Sequence, residues 1–188
     1  LICFASFALQ NNVLSNLTHS GISLCFASSQ NIREIHRCFL LHGAAAYGHT
    51  ETAKLLLEHC AVVQNPADLV KTPLIWAADE GHTAAAALLI ECGAAEDAKD
   101  ECGATALMLT AKSGHTELAK LLLEHRAVVD IKQEIPNGGF ALAGKTALIK
   151  AAEGGHTETA KLLIKQGAVV DAVDSIGMTA LMWTAAAG

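Results

Sequence analysis

Short apolar runs of two alternating kinds recur along this chain at a fixed interval. The first kind opens on a threonine. It reads Thr72-Pro73-Leu74-Ile75-Trp76-Ala77-Ala78, Thr105-Ala106-Leu107-Met108-Leu109-Thr110-Ala111, Thr146-Ala147-Leu148-Ile149-Lys150-Ala151-Ala152 and Thr179-Ala180-Leu181-Met182-Trp183-Thr184-Ala185. A weaker copy is Phe39-Leu40-Leu41-His42-Gly43-Ala44-Ala45. The second kind reads Thr52-Ala53-Lys54-Leu55-Leu56-Leu57-Glu58, Leu118-Ala119-Lys120-Leu121-Leu122-Leu123-Glu124 and Thr159-Ala160-Lys161-Leu162-Leu163-Ile164-Lys165. Between the two kinds stands Gly-His-Thr, beginning at Gly48, Gly81, Gly114 and Gly155. The spacings are 33, 33 and 41 residues, the last being one period plus an eight-residue insertion. Helices this short cannot shelter a core alone, so the period predicts stacked units that bury their apolar faces on their neighbours.

Local chemistry supports a helix for each run. Thr is a good N-cap, because its hydroxyl accepts a bond from an orphan backbone N–H. Pro73 falls at the first helical position, where its missing N–H costs nothing. Small pairs such as Ala77-Ala78 let a neighbouring helix approach, and the Gly of Gly-His-Thr stops the helix. In the second helix Glu51, Glu117 and Glu158 occupy the first turn, where the helix dipole favours negative charge. Lys54, Lys120 and Lys161 lie three residues later on the same face. The apolar triplet that follows is expected to face inward between repeats. The helix should stop at Cys60, Gly93, Arg126 and Gly167, through a left-handed turn. Cys60 and Arg126 would each be strained there by about 1 kcal/mol, so Gly at either position is expected to raise the melting temperature.

Composition narrows the function. Hydrophobic residues make up 52% of the 188 and aromatics only 4%, which suits close helix packing through small side chains. Net charge is −6, with acids and bases interleaved, so nothing resembles the basic face that a nucleic-acid partner needs. No apolar run approaches the roughly 18 residues of a membrane span. The cysteines, Cys3, Cys25, Cys38, Cys60, Cys92 and Cys102, show neither a C-x-x-C nor a zinc spacing. Reduced thiols in a cytoplasmic protein are the reading. Residues 1–32 hold no Asp, Glu, Lys or Arg. Residues 1–34 are therefore set apart as an atypical N-terminal segment, either a degenerate cap or disordered.

The rows of residues 35–188 resemble the ankyrin repeat. The resemblance divides them into repeats at about 35–66, 67–99, 100–140 with the insertion, 141–173 and a partial 174–188. It implies an all-α solenoid, each repeat carrying a β-turn finger and two antiparallel helices. There are departures. The histidine that follows Thr-Pro-Leu in the family survives only as His42, behind Phe39. Val70 replaces the turn glycine found at Gly103, Gly144 and Gly177, so the finger around 65–68 is expected to be irregular. Gly188 closes only a first helix, and the chain reads as a fragment.

The resemblance also implies a non-catalytic module that binds a partner protein on its concave face, built from finger tips and first helices. That selects Asp68, Leu69, Lys71, Trp76, Asp79, Glu80, Glu101, Cys102, Ala104, Leu109, Lys112 and Ser113. It continues through Leu142, Lys145, Lys150 and Glu153 to Ser175, Ile176, Met178 and Trp183. Trp76 and Trp183 share one row, and Trp is favoured at binding hot spots. Phe140, on the Gly-rich insertion, is a further candidate contact. A monomer is expected, with no catalytic residue, cofactor or metal. The alternative is a regulatory segment of a larger enzyme or channel. A remoter alternative is nucleotide binding: residues 139–146 satisfy the G-x-x-x-x-G-K-T spacing of a phosphate loop. Gly144 and Thr146, however, are already repeat positions. His49, His82, His115 and His156 are read as structural turn residues, since packed helix layers lie about 10 Å apart and cannot share a metal.

Overall fold

A computed structural model of the chain describes residues 39–58, 71–134 and 143–187. The N-terminal segment, the Cys60 turn, the finger at 65–68, Asp68, Leu69, Phe140, Leu142 and residues 139–142 of the phosphate-loop-like stretch lie outside them. Among the described residues the helices are α1 (39–46), α2 (Thr50–Glu58), α3 (Pro73–Glu80), α4 (Thr83–Glu91), α5 (Ala106–Ser113), α6 (Thr116–Glu124), α7 (Ala147–Glu153), α8 (Thr157–Lys165) and α9 (Ala180–Ala187). The first helices α3, α5, α7 and α9 pack in series, and the second helices α2, α4, α6 and α8 form a parallel series behind them. The only β pairing among the described residues is two isolated bridges at the finger bases, Lys99 with Thr105 and Val173 with Thr179.

The threonine caps form as the sequence suggests. Thr72 Oγ1 accepts from Ile75 N at 3.2 Å, and Thr105 and Thr146 from Met108 N and Ile149 N at 3.4 Å. Each holds the first turn of a helix whose next residues, such as Leu107, Met108, Leu148 and Ile149, are buried. At the other end of the second helices, Arg126 has φ 70°. It is the one non-glycine with positive φ among the described residues, in the position held elsewhere by Gly93 and Gly167. The left-handed turn expected at Arg126 is present.

The apolar triplets need correcting. Leu122 and Leu163, the middle members, are buried, but Leu55 is 58% exposed and Ile164 48%. Successive helical residues are rotated by about 100°, so three in a row cannot share one inward face. The core instead rests mainly on the first helices and on alanines at close crossings.

The fingers stack on one another. Asp100 Oδ1 accepts from Cys102 N and Ala104 N, and Asp174 Oδ1 from Ile176 N and Met178 N, all between 2.8 and 3.0 Å. Gln133 takes this place in the intervening finger. Its backbone repeats the same pair of bonds, Gln133 N to Lys145 O and Gly144 N to Gln133 O, as Asp100 makes with Ala104 and Gly103. The inserted residues therefore lie between Gln133 and Gly144. The Gln133 side chain reaches back instead, donating Nε2 to Cys102 O of the preceding finger at 2.8 Å. Gly103, with φ 70°, is needed twice over, since a Cβ there would run into the carbonyl oxygen of Glu134.

Candidate protein-interaction face

The Gly-His-Thr histidines do more than turn the chain. His82 Nε2 lies 3.1 Å from Ala46 O, and His156 Nε2 lies 3.0 Å from Lys112 O, each reaching into the preceding repeat. The rings of His82, His115 and His156 cover Gly48, Gly81 and Gly114; a Cβ on Gly81 would stand 2.6 Å from the His115 ring. Each glycine thus supplies a left-handed turn and room for the next repeat's ring. Among the described residues no group of three or more His, Cys, Asp and Glu could hold a metal. His42 ties the first described helix to the next finger, with Nε2 2.8 Å from Lys71 O.

In front of this frame, the finger residues before Thr72 and Thr146 each meet the residue seven after that Thr. Lys71 Nζ lies 2.7 Å from Asp79 Oδ2 and 4.7 Å from the centroid of the Trp76 ring. Lys145 Nζ lies 2.9 Å from Glu153 Oε2 and 4.0 Å from the centroid of the Trp183 ring. The first cluster lies within one repeat; the second joins two. Trp183 Nε1 also donates to Asp174 Oδ2 at 2.8 Å. The intervening repeat has Ala104 and Lys112 at these positions and forms no such pair.

The expected contact residues divide by burial. Glu80, Glu101, Cys102, Lys112, Ser113, Glu153, Ser175 and Ile176 are exposed, and Lys71, Trp76, Asp79, Met178 and Trp183 are half-buried. Ala104, Leu109, Lys145 and Lys150 are buried. They lie beneath or between the exposed residues. Sequence spacing places a residue on a row but does not show how deeply the next repeat covers it.

Two charges in this region are shifted. Burial first, then the Lys145 ammonium, lowers the Lys150 pKa below the ordinary lysine value. For Asp174, burial pushes the carboxyl upward, but N–H donors from Met178, Trp183 and Ile176, with Lys145 nearby, outweigh it and hold the pKa below the usual carboxylate value. In the phosphate-loop-like stretch, Lys145 is held by Glu153 and Trp183, and the Thr146 hydroxyl caps α7. Both side chains thus have partners within the repeat framework.

A family profile described as Ankyrin repeats (3 copies) matches residues 5–100, 88–143 and 130–188. The chain belongs to the ankyrin repeat family. The first match begins within the segment 1–34 that the row pattern sets apart. A comparison with curated proteins found no match. Ankyrin repeats generally mediate protein–protein interactions and are typically non-catalytic. Among the described residues of this ankyrin protein, no helix is long and apolar enough to cross a membrane.

Proposed function

We propose that this ankyrin chain is a non-catalytic adaptor that binds a partner protein through the face formed by its finger tips and first helices. The observation that carries this reading is the setting of Trp76. Its ring is half-buried beneath the Lys71 ammonium, and the same face of the next repeat exposes Glu101, Cys102, Lys112 and Ser113. An aromatic anchor ringed by mixed polar groups is the composition that interface hot spots favour. The ordering is already provided by the Lys71–Asp79 pair, so little entropy remains to be lost on binding. The engagement of Lys145 and Thr146 supports a non-catalytic role. Free, exposed thiols at Cys92 and Cys102 fit the reducing cytoplasm.

The test is a pull-down with the intact open reading frame, comparing the wild type with a Trp76→Ala, Lys112→Ala double variant. Loss of a captured partner with little change in melting temperature is expected. Equal capture by both proteins would move the interface elsewhere.

A further inference from the structure

Among the described residues, Lys150 is a buried charge on this face that no ion pair meets. Lys150 holds the α7 position in the row that Trp76, Leu109 and Trp183 hold in α3, α5 and α9, and α7 packs between α5 and α9. The residue is only 6% exposed. No hydrogen bond or ion pair within the described residues reaches its ammonium. The one side-chain atom there that is fully buried without a partner is Gln133 Oε1. Lys150 Nζ therefore still meets solvent at its tip.

The charged groups that act on it are Lys145, Glu153, Lys112 and Asp100. Glu153 is bound by Lys145. Asp100 Oδ1 is taken by two backbone amides. Lys112 and Lys145 are like charges. Buried charges are normally paired, because an unpaired one loses hydration without recompense. A leucine or tryptophan would suit this row better, as it does in the other repeats.

We infer that Lys150 is the anchor for a carboxylate side chain of the partner protein, which completes an ion pair that this chain leaves open between Leu109 and Trp183. The inference rests on the proposed binding face and names the chemistry that face selects. A glutamate fits best: its methylenes suit a row whose members on the flanking helices are Leu109 and Trp183, and its carboxylate supplies the missing charge. A phosphate group is disfavoured. The site offers a point charge without the guanidinium fork that phosphate recognition uses. Pairing with a largely buried ammonium is stronger than at the open surface, so one side chain can contribute much of the selectivity.

The test uses the full chain with 13Cε-labelled lysine, observed by NMR. The probes are a blocked hexaglutamate peptide, hexaglutamine and inorganic phosphate at matched ionic strength. Hexaglutamate is expected to shift the Lys150 signal and raise its titration midpoint, while hexaglutamine and phosphate leave it in place. Lys150→Met should weaken hexaglutamate binding at least about tenfold, the loss of one charge-assisted bond. Lys120→Met, on the exposed side of α6, should not. The methionine variant should fold, since its stem fills the same space without the charge. A silent Lys150 signal, an equal response to phosphate, or unchanged binding by Lys150→Met overturns the inference. If Lys150→Met is without effect while the Trp76→Ala, Lys112→Ala variant loses its partner, only the anchor is wrong. If that double variant also binds normally, the face itself is wrong.

Discussion

The Lys71 and Lys145 clusters are built from the same repeat positions and end up in different environments. In the first, the Lys71 and Asp79 side chains are 21% and 28% exposed, and the covering ring, Trp76, comes from the same repeat. In the second, the Lys145 side chain is only 2% exposed, and its ring, Trp183, comes from the next repeat. The sequence at each pair is nearly equivalent. What differs is the row that covers them: Trp76 followed by Leu109 at the first pair, Lys150 followed by Trp183 at the second. An ion pair open to water is worth little, whereas removing one partner of a pair closed over by a neighbour costs more.

The largest expected effect follows from that contrast. Lys145→Ala should lower unfolding free energy by about 2 kcal/mol, as it strips a buried ammonium and its stem from beneath Trp183. Lys71→Ala should cost less than about 1 kcal/mol. Urea unfolding of both variants checks this, and equal losses would erase the distinction.

Lys150 sharpens the comparison, because it shares the second cluster but lacks its pairing. Lys150→Met should stabilise the isolated chain by about 1 kcal/mol at neutral pH. The sign follows from the lowered pKa. Folding disfavours the charged lysine, so the penalty is complete while Lys150 is ionised in the fold. It fades as pH rises from the lowered folded value to the ordinary lysine value. The advantage of the methionine variant should therefore shrink in alkaline solution. A constant difference across pH would point to packing alone.

The smallest expected change is at Arg126, outside both clusters. Arg126→Gly should add somewhat less than about 1 kcal/mol by relieving the left-handed backbone, part of the gain being offset by a more flexible unfolded chain. It should leave the difference between Lys71 and Lys145 untouched. Thermal melts of Arg126→Gly alone and with each lysine variant measure both statements.

Much of the frame was legible in the sequence. The Thr caps, the helix stops at Gly81 and Gly114, and the strained Arg126 all follow from local rules that act within a few residues. Contacts between residues one period apart were not legible. Spacing marked the Gly-His-Thr histidines as turn residues, but not that His115 roofs Gly81 or that His156 reaches Lys112 O. Nor does it show that Gln133 abandons the role of Asp100 and Asp174 to bond the previous finger. The site residues suffered most: Lys145 and Lys150 look like surface cations in a linear reading, yet both are buried, and the ring over Lys145, Trp183, comes from the next repeat.

The most direct test is a pair of double-mutant cycles, Lys145 with Trp183 and Lys71 with Trp76, measured by urea unfolding at neutral pH. If neighbouring repeats build this face by closing over one another's charges, the first pair should couple by about 1–2 kcal/mol and the second by about half that or less. Equal coupling, or the stronger value at Lys71 and Trp76, would contradict it.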